Sequence, residues 1–420
     1  MNPITIVGAG LAGLSAAVRL LQKLPPDRPV HLFDRARTLG GRAASLFLPD
    51  KKIFIDRAQH LSMNACGCFR HFLRQTALEP YWKEQDTLTF LSRDDSGKNI
   101  FSTLRNSPIM PPPFHLLGSI LRLRFLCLND RLALLRTLQR LRNARLPEGI
   151  VFAQWLDAAA CPTAVRLAFF EPVVVSAFCD TSENVSARRV HLLFRRVFFG
   201  SPDGWHPLLP TLPLQEIFHD KMLAFFRPFI AQKRLEIHLG ETVERLPRDG
   251  TTIVAVNPES AAELGMPVPP GRNTPSHSIA ALHFWTRRPL FRPPHLSLVG
   301  PTAIQWIFRV PFTDQNGHFG YQALVSHSDV CATSQRDALR QILLDEIHGL
   351  FPNIEMLDPH ITRVPHAVTP CDVASETNRP GTLTAMPNVF LAGDWTATGL
   401  PATMEGAVQS GYAAAEAAIN

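Results

Sequence analysis

The sequence predicts an α/β protein in which a Rossmann-type domain, assembled from separated parts of the chain, carries an inserted α+β domain. Three observations carry this reading. A strand, a glycine-rich turn and a helix open the chain, a strand and a helix close it, and the middle alternates between helix-rich and strand-rich stretches. At 420 residues the chain has room for two or three domains. With 45% apolar and 19% charged residues it can bury a large core, which excludes disorder as its main state.

The first element is Ile4-Thr5-Ile6-Val7, a β-branched run suited to a buried parallel strand. Gly8-Ala9-Gly10-Leu11-Ala12-Gly13 follows, then a helical run from Leu14 to Leu24 and a second strand, Val30 to Phe33, ending at Asp34. A GxGxxG between strand and helix, with an acid about 20 residues further on, is the dinucleotide-binding arrangement. Gly8 permits the tight turn, Gly10 lets the backbone approach a pyrophosphate, and Gly13 lets helix and strand pack closely. The N–H groups of Leu11 and Ala12, at the positive end of the helix, are expected to face the phosphates. Asp34, with Arg35 beside it, is expected at the adenosine ribose.

Net charge is +6, but it is unevenly placed. Between Ser96 and Pro147 nine Lys or Arg stand against the single acid Asp130, so this segment holds +8 and the remainder −2. Pro108, Pro111, Pro112 and Pro113 open it, and a helical hairpin is expected around Asn129 and Asp130. Leu134, Leu135, Leu138 and Leu141 recur there at helical spacing beside arginines. An anionic membrane surface suits such a basic amphipathic segment, and a solvated, internally paired face is the alternative. Its arginines sit among leucines rather than exposed aromatics, so nucleic acid is not an expected partner.

From Phe152 to Phe229 the sequence reads as mostly helical and carries eleven of the 27 phenylalanines. Three tyrosines in the whole chain complete an aromatic set suited to lining a polyprenyl tunnel, although core packing explains the same residues. Leu235–Leu239 and Ile253–Val256 read as strands returning to the first domain. Ile279–Trp285, Ile304–Val310 and Phe319–Ser326 read as a second sheet, followed by a helix around Leu339 to Leu350. Val389–Ala392 is the last strand and Ala402–Ala418 the last helix. The expected division is 1–75, 232–275 and 365–420 for the cofactor domain, and 76–231 and 276–364 for the substrate domain, with 108–146 as its basic helical, membrane-facing segment.

The seven cysteines are scattered, and Cys66-Gly-Cys68 has no metal-knuckle spacing, so no metal is expected. Neither a membrane-spanning run nor a secretory signal is expected, which points to a cytoplasmic, peripheral protein.

Leu391-Ala392-Gly393-Asp394-Trp395-Thr396 and Gly399-Leu400-Pro401-Ala402-Thr403-Met404-Glu405-Gly406-Ala407 resemble the closing motif of the flavin amine oxidase and phytoene desaturase superfamily. Gly40-Gly41-Arg42 resembles its second FAD motif, and Val243 matches the valine whose backbone meets the adenine. Within that superfamily the closing motif is most similar to the hydroxysqualene dehydroxylase family, as is Asp56-Arg57-Ala58-Gln59-His60, although that family usually has Asn-Gly where this chain has Arg57-Ala58.

The resemblance implies a two-domain architecture shared with p-hydroxybenzoate hydroxylase and non-covalent FAD. Gly41, Arg42, Gln59, Gly393, Asp394, Ala402, Thr403, Met404 and Ala407 are the residues it places against the cofactor. It implies reductive removal of a polyprenyl hydroxyl, with hydride from reduced flavin to an allylic cation. His60 and Asp56 are then candidates for the general acid, and Glu405 a third that equally suits a helix's first turn. Two other readings stay open: a carotenoid desaturase running on oxidised FAD, and a flavoprotein that binds lipid without turnover. No second glycine fingerprint is present, so electrons are expected from an external donor.

Overall fold

A computed structural model describes residues 2–94, 96–247, 249–266, 268, 277–326, 330–331 and 335–420. Five parallel strands form one sheet in the order Leu235–Leu239, Val30–Asp34, Ile4–Val7, Thr251–Val254, Val389–Leu391. Its central strand, Ile4–Val7, is fully buried, which is why its sequence is an uninterrupted apolar and β-branched run. The helix Leu11–Lys23 packs on this sheet beside the terminal helix Met404–Ile419. The two helices approach closely at Gly411, where a Cβ would stand 2.1 Å from the Ala12 carbonyl oxygen. Ser15 Oγ, buried between them, lies 3.3 Å from the Val408 carbonyl it donates to.

The second sheet has seven strands in the order Leu357–Val368, His277–Thr286, Phe319–Val325, Trp306–Thr313, His295–Leu298, Thr87–Arg93, Asn99–Arg105. Every pairing is antiparallel except His295–Leu298 with Thr87–Arg93. The expected boundary at residues 275–276 lies outside the described residues.

The helical region behind this sheet is a core of its own. Phe152, Phe170, Phe178 and Phe194 are fully buried there, and rings such as Phe169 and Phe170 meet edge to face at 5.4 Å. These phenylalanines pack against one another, so core packing, rather than a tunnel wall, accounts for them.

The basic segment departs from the expected hairpin. It holds one long helix, Leu128–Asn143, preceded by a 3-10 turn at Phe114–Leu116 that runs into a single α-helical turn at Leu117–Ile120. Pro111 to Pro113 lack N–H donors and hold their φ angles fixed, so helix begins only after them, and from Leu121 to Cys127 the chain is turns and bends rather than a first arm. Asp130 stands in the first turn of the long helix, where a negative charge suits the dipole, instead of at a bend.

Candidate functional site

The opening turn is built for close approach. Gly8 has φ +109°, and a Cβ on Gly13 would lie 1.8 Å from the Gly8 carbonyl oxygen. Gly10 bridges to Gly40, and a Cβ on Gly41 would stand 2.9 Å from the Gly10 Cα. Five glycines therefore bring two loops together at the N-terminus of the helix Leu11–Lys23. No side chain caps that end and no acid lies in its first turn, so its N–H groups and positive dipole are left for an anion.

Asp34 binds this turn from the neighbouring strand. Its carboxylate accepts from the Ala9 N–H at 2.6 Å and the Ala36 N–H at 2.7 Å. It therefore braces the phosphate turn at the place where the sequence expects a ribose contact. Arg35 is exposed beside it, and Val243 is half-buried in the loop after Leu235–Leu239.

Arg42 and Asp394, 352 residues apart in sequence, meet at 2.5 Å. Asp394 is buried, whereas the Arg42 side chain is 44% exposed and also donates to the Ala367 carbonyl. The adjacent carboxylate raises the guanidinium further above its ordinary value, so Arg42 is a fixed cation beside the glycine turn. Gly393, at φ +149°, is held by its N–H to Ser410 Oγ at 2.8 Å.

Sequence reasoning missed Arg379, whose buried guanidinium donates to the Asp394 and Leu400 carbonyls and so ties down the closing loop. An isolated arginine in a loop carries no local signal for that role. The last helix starts at Met404, two residues later than expected. Thr403, extended, is its N-cap, and Ala402 lies in the bend before it. Met404 is half-buried and Ala407 buried at that helix's start.

Of the three acid candidates, Glu405 faces away from an acid's task. Its two oxygens accept the Cys68 and Phe69 N–H groups at 3.2 and 2.8 Å, so it closes the N-terminus of the helix Gly67–Gln75. Glu405→Ala is expected to destabilise the protein by about 1–3 kcal/mol, since two N–H groups lose their acceptor. A lower urea midpoint with an unchanged slope checks this.

His60 donates from Nδ1 to the Ala58 carbonyl at 2.9 Å. Burial lowers its pKa and the Arg42 charge adds to the effect, so the ring is neutral at pH 7 and its Nε2 is an acceptor. A neutral ring with its one proton committed is a poor acid.

Asp56 ends the hairpin strand Ile53–Asp56, and its Oδ1 accepts from Ser45 Oγ at 2.6 Å and the Leu214 N–H at 2.8 Å. Burial pushes its pKa up to about 6 despite those two bonds. Its Oδ2 makes no hydrogen bond among the described residues, leaving one oxygen able to carry and release a proton. Asp56 lines a small cavity with Gln59, His283 and Gln322 on its polar side and Ile55, Leu212, Val310 and Phe312 among its apolar walls. The strand Trp306–Thr313 loses register between Arg309 and Thr313, which sets Val310-Pro311-Phe312 at that wall.

Residues 230–419 match the flavin containing amine oxidoreductase family and residues 6–76 the NAD(P)-binding Rossmann-like domain. Hydroxysqualene dehydroxylases are similar along the whole chain. That of Sinorhizobium fredii is 26% identical over 99% of this chain and 98% of its own, and that of Zymomonas mobilis 25% identical over 100% of both. The chain is a flavin-dependent oxidoreductase, similar to the flavin containing amine oxidoreductases over residues 230–419.

A putative protoporphyrinogen oxidase from Exiguobacterium shares the fold, with TM-score 0.69 at 15% identity over 99% of this chain and 98% of that one. The similarity to flavin enzymes gives the opening turn a ligand. A crowded glycine cradle, an uncapped helix end and the adjacent Arg42 together fit a flavin cofactor. His283, Gln322 and Thr362, which share the cavity's polar network, went unread in the sequence because only strand pairing brings them to Asp56. His31, Glu236 and His238 cluster on the paired strands Val30–Asp34 and Leu235–Leu239, at one side of the parallel sheet.

Proposed function

We propose that this chain removes the hydroxyl of hydroxysqualene to give squalene, with FAD bound non-covalently. The observation that carries this is Asp56, a carboxyl with its pKa raised to about 6 and a free oxygen on a cavity that also has an apolar wall of Ile55, Leu212, Val310 and Phe312. The similarity to relatives named hydroxysqualene dehydroxylase supports the choice of substrate. Reduced FAD supplies a hydride when bound, its reducing equivalents coming from an external donor.

The chain's own residues do the remaining work. Leu11, Ala12 and Gly13 offer N–H groups to the pyrophosphate, Arg42 adds positive charge, and Asp34 orients the turn. Asp56 gives its proton to the substrate hydroxyl as the C–O bond breaks. Water leaves, and the carbon accepts the hydride, so one proton and one hydride convert the alcohol to hydrocarbon and water. The apolar wall keeps bulk water from the allylic cation.

The reverse polarity, desaturation by oxidised FAD, requires a base in place of an acid. Oxidised holoenzyme mixed anaerobically with squalene or phytoene is expected to keep its flavin colour. Bleaching with formation of a new double bond would overturn the reductive reading.

The substrate is expected to arrive from a membrane's inner face. Among the described residues no helix is long and apolar enough to cross a membrane. The segment around the basic helix instead exposes large apolar side chains: Ile109 is 90% exposed, Leu128 62% and Phe114 56%. Arg105, Arg122, Arg124, Arg136 and Arg142 are exposed in the same segment, and apolar insertion with cationic attraction suits an anionic bilayer. Arg140 instead donates to the Ala159 carbonyl, and Arg131 to Leu121 and Leu123. The variant Ile109→Glu with Arg136→Glu is expected to lose sedimentation with phosphatidylglycerol vesicles while staying folded. Equal sedimentation of variant and wild type would contradict a membrane role for this face.

A further inference from the structure

Gln322, 2% exposed, pairs across the sheet with His283. Its Nε2 donates to the Asp56 carbonyl at 2.8 Å and stands over the His283 ring edge, 3.4 Å from Nδ1 and 3.3 Å from Nε2. A flipped amide would set two acceptors against each other at the Asp56 carbonyl, so the amide's orientation is fixed.

Thr362 Oγ1 donates to the Arg57 carbonyl at 2.6 Å and must therefore receive the His283 Nε2 proton, at 2.9 Å. Burial pushes the His283 pKa down to about 3, so the ring keeps that single proton and its Nδ1 stays an acceptor for Gln322. Gln322, His283 and Thr362 thus satisfy one another in series. One atom of the series is left over. Gln322 Oε1 is buried and has no hydrogen-bond partner among the described residues, although the side chain lines the cavity that Asp56 lines.

We propose that Gln322 Oε1 anchors the substrate by accepting its hydroxyl hydrogen, which turns the hydroxyl oxygen toward Asp56. The inference rests on the reading of this chain as an enzyme that acts on a polyprenyl alcohol. An alcohol fills the acceptor that a hydrocarbon of the same skeleton leaves unpaired, so the subsite selects substrate over product. Gln322 is a positioning residue in this scheme: it holds the oxygen in place, and the proton comes from Asp56.

The test is a binding comparison without turnover. Oxidised holoenzyme in detergent is titrated with hydroxysqualene and with squalene while the flavin absorbance is followed. Wild type is expected to bind the alcohol roughly tenfold or more tightly than the hydrocarbon. Gln322→Met, which keeps the length and removes the acceptor, is expected to level the two affinities by weakening only the alcohol. Gln322→Leu gives the same comparison if the Met variant does not retain flavin.

Equal affinities in wild type, or an alcohol preference that persists in the variant, would overturn the subsite. The reaction itself is read separately, as squalene formed by the reduced wild type. A preference that depends on Gln322 without any squalene would uphold the subsite and reject the reaction. Squalene formation with an unchanged preference would do the reverse.

Discussion

Asp56→Asn is expected to lower the rate of dehydroxylation by about 10²–10⁴-fold while leaving the flavin bound, because the amide keeps the shape and loses the proton. In wild type the rate should fall as pH rises through about 6, where the buried carboxyl ionises. That limb should vanish in the variant. Stability gives a second, independent readout. Burial raises the folded-state pKa from 3.8 to about 6, so the folded protein binds this proton more tightly than the unfolded chain. The contribution is therefore present in full below about pH 4 and is lost as pH rises through 6. Two units correspond to about 3 kcal/mol. The Asn variant lacks a buried charge at pH 8 and should gain stability over wild type there relative to pH 4. An unchanged pH profile of both rate and denaturation midpoint would remove Asp56 from the acid's role.

Gly13→Ala is the other change with a large expected effect. The new Cβ would meet the Gly8 carbonyl oxygen at 1.8 Å, and both partners are backbone, so no side chain can swing aside. Gly8 cannot yield either, because its own position is crowded by the Ala255 carbonyl oxygen, 2.5 Å from where its Cβ would be. The helix Leu11–Lys23 must then lift from the strand Ile4–Val7, at a cost on the order of 3 kcal/mol or more. The purified variant should carry little flavin per chain and melt well below wild type. Gly67→Ala is the matched control, since nothing lies within 4 Å of its Cβ, and should leave flavin content intact. Full flavin content in Gly13→Ala would contradict the cradle described for the opening turn.

The parts of this molecule that were legible in its sequence are those where chemistry is local. A GxGxxG between strand and helix requires a tight turn, and Gly8, Gly10 and Gly13 stand in one. The paired strands and the long helices followed from period and β-branching, with ends shifted by a few residues where a cap decides, as Thr403 does for Met404–Ile419. What stayed hidden depends on contacts between distant segments. Glu405 looked like a first-turn acid, and only the packing of the helix Gly67–Gln75 gives it two N–H groups to hold. His60 and Asp56, four residues apart, are separated by what surrounds them: a carbonyl takes the only proton of one, and burial raises the pKa of the other to about 6. The phenylalanine excess suggested a tunnel, yet those rings form a core, because apolar content alone does not distinguish a wall from a filling. Gln322 and His283 lie in strands buried on both faces, and the register of the sheet alone sets them beside Asp56.

The measurement that bears most directly on the central claim is a single turnover under argon. Photoreduced holoenzyme is mixed with hydroxysqualene in detergent, the flavin spectrum is followed, and the extract is analysed by gas chromatography with mass detection. One squalene per flavin reoxidised, at a rate that falls above pH 6, is the predicted result. Flavin that stays reduced with the alcohol recovered intact would contradict it.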